Sequence, residues 1–77
     1  MFDFKGKTVL VTGGAQGIGK EIVKGVVNGG GHAVILDINE EGARATADEL
    51  GNCGAYRMDL GSPENIREVM ARVLGDF

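Results

Sequence analysis

The chain has 77 residues, of which 43% are hydrophobic and 25% charged, so it supports one small domain or part of a larger one. That composition excludes a disordered chain, and no apolar run approaches the roughly 20 residues that a bilayer crossing needs. The net charge of −3 is unevenly divided, with four Lys against two acids up to Leu36 and four Arg against nine acids from Asp37 onward; with no Lys/Arg cluster, neither nucleic acid nor a membrane surface is expected as a partner.

The N-terminus lacks the basic start and apolar stretch of a signal peptide, so a cytoplasmic location is expected. Cys53 stands alone, which excludes an intrachain disulfide and leaves it as a small core or surface residue. Glycine is the outlier at 14 of 77, and without a collagen period it points to tight turns.

Thr8-Val9-Leu10-Val11-Thr12 is apolar and β-branched with little alternation, the pattern of a strand covered on both faces, and it ends at Gly13-Gly14. Ile18, Ile22, Val23, Val26 and Val27 then form a helical stripe opposite Lys20, Glu21, Lys24 and Asn28. Asn28-Gly29-Gly30-Gly31 stops that helix. A second strand is expected over Ala33-Val34-Ile35-Leu36, ending at the acidic Asp37. Asn39 can cap a second helix whose core side is Ala43, Ala47 and Leu50, and Gly51 closes it. Ala55 to Leu60 reads as a third strand, interrupted by Arg57 and Asp59. Ser62 as cap, Pro63 at the first helical position and Glu64 in the first turn open a third helix, with Ile66, Val69, Met70, Val73 and Leu74 on its apolar side and Gly75 at its end. Strand and helix alternating three times imply right-handed crossovers and a parallel sheet, an α/β fold.

Thr12-Gly13-Gly14-Ala15-Gln16-Gly17-Ile18-Gly19 joins a buried strand directly to a helix, which is where a parallel sheet binds phosphate. Unpaired N–H groups and the positive end of the helix dipole gather there. Gly13 suits the sharp exit from the strand, Gly17 the close approach of an anion, and Gly19 the close packing of helix on strand. Two related patterns fail. Gly14-x-x-x-x-Gly19-Lys20 matches most of a P-loop, but Glu21 stands where Ser or Thr must hold magnesium. The pattern G-x-G-x-x-G begins at Gly17-Ile18-Gly19 and meets Ile22 in place of its third glycine. Asp37, eighteen positions after Gly19, lies where a carboxylate accepts hydrogen bonds from adenosine ribose hydroxyls and repels a 2′-phosphate, so NAD is favoured over NADP. Taken alone, it reads as a solvated strand-end acid or a helix cap.

Thr12-Gly13-x-x-x-Gly17-Ile18-Gly19 after Lys7-Thr8-Val9-Leu10-Val11 resembles the opening of the short-chain dehydrogenase/reductase family, and the likeness runs the length of the chain. It implies the first half of a Rossmann-type doubly wound parallel sheet, three strands in the order 3-2-1 with three helices. It further implies a coenzyme site made of Gly13, Gly14, Ala15, Gln16, Gly17, Ile18 and Gly19 at the pyrophosphate, Asp37 with Ile38 at the ribose, and Asp59 with Leu60 near the adenine. Asp59 reads equally well as the cap of a turn through Gly61-Ser62. The implied reaction is hydride transfer between NAD and an alcohol or ketone, in a homotetramer or homodimer.

The catalytic end of such an enzyme is missing from these residues. Family members run to roughly 250 residues and carry Asn-Asn-Ala-Gly, then a catalytic Ser and Tyr-x-x-x-Lys. Here the single tyrosine, Tyr56, is followed four places later by Leu60, and His32, the single histidine, at a strand start after a glycine run, reads as structural or neutral. The expectation is therefore the coenzyme-binding half of a longer enzyme, interrupted before a fourth strand. In isolation it would expose the apolar edge of the strand Thr8 to Thr12 and be marginal or aggregated. The alternative is a small stand-alone module binding NAD or another adenine nucleotide without catalysis.

Overall fold

The computed structural model describes residues 3–76. Six elements alternate along them: β1 (Thr8–Thr12), α1 (Gly17–Asn28), β2 (His32–Asp37), α2 (Glu40–Leu50), β3 (Cys53–Arg57) and α3 (Pro63–Asp76). The strands form one sheet in the order β1-β2-β3. Both pairings are parallel, with Thr8 opposite His32 and Ala33 opposite Cys53. The fold class, the adjacency of the strands and the alternation with helices are those expected.

β2 is the centre because its side chains have partners on both faces. Ala33 and Ile35 pack with Val11, Val23, Val26 and Ala43 under α1 and α2. Val34 and Leu36 point the other way and pack with Met58, Val69 and Val73 under α3. Ile35, Val23 and Val34 are the largest side chains fully removed from water, and burial of that kind contributes about 1.5–3 kcal/mol for each.

β1 departs from its expected two-sided cover. Val11 is buried, but Leu10, directed to the opposite face, is 41% exposed. β1 pairs only with β2, so the apolar strand edge anticipated in the sequence is present. The helical stripes are narrower than periodicity indicated: Val23 and Val26 of α1 are buried, while Ile18, Ile22 and Leu74 are exposed. Periodicity selects a face, but burial needs a surface opposite it, and no described element supplies one for these three residues.

Two element ends also differ. β3 begins at Cys53 and stops at Arg57, because Arg57 pairs with Asp37, the last residue of β2. Met58 adds one bond, donating its N–H to the Asp37 carbonyl at 3.0 Å, and the chain then turns, leaving Asp59 and Leu60 outside the strand. α3 runs through Gly75 to Asp76. A glycine weakens a helix by about 1 kcal/mol but keeps its N–H, so it does not have to end one. No helix among the described residues is long and apolar enough to cross a membrane.

Candidate functional site

Parallel strands bring their carboxyl ends to one side of the sheet, and there a cleft of about 290 Å³ opens. Gly13 borders it from the end of β1, Asp37 and Ile38 from the end of β2, and Met58, Asp59 and Leu60 from the turn after β3. Five residues singled out in the sequence thus share one hollow.

The loop between β1 and α1 is shaped by two left-handed residues, Gly13 at φ +70° and Gly17 at φ +64°, a conformation that side chains with a Cβ rarely adopt. Space around the would-be Cβ of Gly17 is open, with nothing within 4 Å. Gly19 is constrained differently: a Cβ there would overlap the Gly13 carbonyl, so the close packing lies against the loop at the strand's end and not against the strand itself. Gly14 faces inward, where a Cβ would stand 2.9 Å from Ile35 Cγ2. Ala15 is buried as well. Gln16, Gly17 and Ile18 are exposed at the start of α1 and do not border the cleft.

The three helix starts are sealed unequally. In α2, Asn39 accepts a hydrogen bond from the Gly42 N–H through its side chain, and Glu40 and Glu41 lie in the first turn. In α3, Ser62 Oγ accepts from the Asn65 N–H at 3.2 Å and Glu64 lies in the first turn. In α1, the capping position is Gln16, whose side chain makes no capping bond, and the first turn holds no acid. The free N–H groups and positive dipole end of α1 therefore stay available to an external anion.

Asp37 links the loop to the end of β2. Its Oδ2 accepts the Ala15 N–H at 3.1 Å and its Oδ1 accepts the Asn39 N–H at 3.0 Å. Asp59 behaves as the turn cap that was one of its two readings: Oδ1 accepts the Gly61 N–H at 2.9 Å, while the Asp59 N–H donates to Asn65 Oδ1 at 2.7 Å. Two cations of the flanking helices are paired. Lys20 Nζ lies 3.0 Å from Glu49 Oε1, and Arg44 Nη2 lies 2.8 Å from Glu40 Oε2.

Three residues of this region were not picked out from the sequence. Met58 is buried below the cleft, Asn65 holds the Asp59 backbone, and Thr46, a buried threonine of α2, donates from Oγ1 to the Ala15 carbonyl at 2.9 Å. Only the i, i+3 and i, i+4 spacing of Ala43, Thr46 and Ala47 hinted that Thr46 belongs to the core side of α2.

Comparison with known proteins places these features in context. The family model described as short chain dehydrogenase matches residues 7–77. The chain is 37% identical over 78 aligned positions to 2,5-dichloro-2,5-cyclohexadiene-1,4-diol dehydrogenase of Sphingobium indicum, covering all of this chain and 31% of that protein. It is 41% identical over 70 positions to sorbitol dehydrogenase of Cereibacter sphaeroides, covering 90% of this chain and 27% of the other. The chain therefore spans about a third or less of the length of these relatives. Among solved structures, 3-ketoacyl-(acyl-carrier-protein) reductase from Brucella melitensis complexed with NADH superposes with a TM-score of 0.88 at 29% identity, covering 94% of this chain and 30% of that one. The Pseudomonas aeruginosa RhlG/NADP active-site complex superposes with a TM-score of 0.85 at 35% identity, covering 97% and 31%.

Proposed function

The chain belongs to the short-chain dehydrogenase family, and on that premise we propose that residues 1–77 are the coenzyme-binding part of an NAD-dependent oxidoreductase. The observation that carries this reading is the unsealed start of α1, tied through Ala15 to the carboxylate of Asp37. A pyrophosphate gains hydrogen bonds and favourable charge at such a helix start. The fit is supported by Gly17, whose open surroundings a Cβ would fill.

In this reading Gly13 through Gly19 form the pyrophosphate loop. Gly13 and Gly17 set its turns, Gly14 and Ala15 root it in the core, Gly19 lets α1 close on it, and Gln16 and Ile18 flank the anion. Asp37 accepts the ribose hydroxyls, Ile38 lines the wall beside it, and Asp59 and Leu60 bound the adenine end of the cleft. When bound, the dinucleotide supplies the nicotinamide ring that exchanges hydride with an alcohol or ketone. These residues bind and orient it, and no Tyr-x-x-x-Lys pair to move the accompanying proton occurs in the sequence.

The preference for NAD over NADP rests on Asp37, because the similar structures include both an NADH and an NADP complex. A 2′-phosphate would meet that carboxylate, and Lys20 and Arg44 are already engaged by Glu49 and Glu40. A cytoplasmic, homo-oligomeric enzyme acting on a small molecule completes the proposal. Titration of the full-length natural product with each coenzyme tests it. NAD is expected to bind more tightly than NADP; the reverse order would remove the ribose role of Asp37, and binding of neither would end the proposal.

A further inference from the structure

A buried threonine in the middle of a helix usually turns its hydroxyl back to the carbonyl four residues earlier. Thr46, only 2% exposed, does not do so. Its Oγ1 instead donates to the carbonyl of Ala15, 31 positions back in the chain, at 2.9 Å in a fully buried bond. The opposite side of the same residue is held from β2, where Asp37 Oδ2 accepts the Ala15 N–H at 3.1 Å. The Ala15 side chain completes the grip: it is buried in the core with Ala43, and a Cβ on Gly42 would come within 3.3 Å of it. Gly42, Ala43 and Thr46 thus form one face of α2 closed on one residue of the glycine loop.

From this geometry we infer that Thr46 is a positioning residue for the pyrophosphate loop, acting from α2 without touching the coenzyme. The inference rests on the dinucleotide reading of the site above. A carbonyl oxygen turned toward an anion repels it, and the loop contains one just before the helix start where the anion would bind. By donating to the Ala15 carbonyl, Thr46 keeps that oxygen on the α2 side. The loop's entry is anchored separately, since the Gly13 N–H donates to the Leu36 carbonyl at 2.8 Å. Thr46 therefore governs the middle of the loop, and its loss should be felt at the phosphates and not at the adenine end of the cleft.

The test uses the full-length natural product, its T46V variant, which keeps the shape and removes the hydroxyl, and T46S, which restores the donor. Because a buried acceptor loses its partner, T46V is expected to weaken NAD and NADP alike by about tenfold. Adenosine, which carries no phosphate, should bind T46V as it binds the wild type, and T46S should return both dinucleotides toward wild-type affinity. Unchanged dinucleotide affinity in folded T46V, or equal weakening of adenosine, would overturn the positioning role. Amide hydrogen exchange at Ala15, whose N–H is held by Asp37, gives a second readout that needs no ligand. Faster exchange there in T46V, reversed in T46S with β2 unaffected, supports the role, and identical exchange overturns it. If the wild type binds no dinucleotide, the proposed function fails, and this exchange measurement still decides whether Thr46 holds the loop.

Discussion

The starts of α1 and α2 are built from similar short, polar or glycine-containing turns, yet only one is closed. At α2 the Asn39 side chain and two first-turn glutamates satisfy the helix end. At α1 neither a capping side chain nor an acid is present. A helix that served only the fold would gain about 1 kcal/mol from a cap, so leaving α1 open sacrifices stability at the point where the family's loop lies. Under the proposed function, the difference separates a helix end finished for folding from one left for a ligand.

Breaking the open end should have the largest effect. Gly17→Val forces a β-branched residue to φ +64° and fills the space beside α1; coenzyme binding is expected to vanish in a titration, and wild-type affinity would show that the loop does not receive the anion. Closing the end makes the contrast sharper. Gln16→Asp supplies the missing cap and is expected to raise stability to urea by about 0.5–1 kcal/mol while weakening NAD by about tenfold or more through repulsion of the pyrophosphate. Both effects in the same direction would contradict the division of roles.

Changes at Asp37 and Asn39 act on either side of that contrast. Asp37→Ala should weaken NAD about tenfold more than NADP, and an unchanged ratio of the two dissociation constants would remove Asp37 from the ribose. Asn39→Ala removes the closed end's cap and should cost about 1 kcal/mol in urea unfolding with coenzyme affinity retained. The smallest effect lies away from both ends. Burial raises the Cys53 thiol above its usual range, partly offset by its hydrogen bond with the Ala33 backbone. Because the folded value is the higher one, the associated stability is complete below the unfolded thiol's range and is lost as pH rises through the folded value. A Cys53→Ser variant should lack this alkaline slope in a pH series of unfolding curves.

Much of the fold was legible because local signals agreed. Thr8–Thr12 and the Pro63 helix start were recovered at their ends, since a glycine pair and a Ser-Pro cap are short-range chemistry. The end of β3 was not, because it depends on where β2 runs out of partners at Asp37. In the candidate site, the glycines and Asp37 could be picked out from spacing alone. Thr46 could not: in sequence it is one small residue on a weakly apolar helix, and its bond to Ala15 exists only once α2 has packed beside the loop.

The amino-acid sequence by itself determined the alternation of strands and helices, the parallel sheet, the glycine loop and the acid at the end of β2. Each follows from periodicity, capping residues or turn chemistry acting within a few positions. Tertiary structure alone decided that Val23 and Val26 are buried while Ile18 and Ile22 of the same helix are exposed, and that Ala15 is held from two elements at once. An apolar stripe specifies a direction, but only a facing surface removes it from water, and a hydrogen bond between distant residues forms only after packing has brought donor and acceptor together.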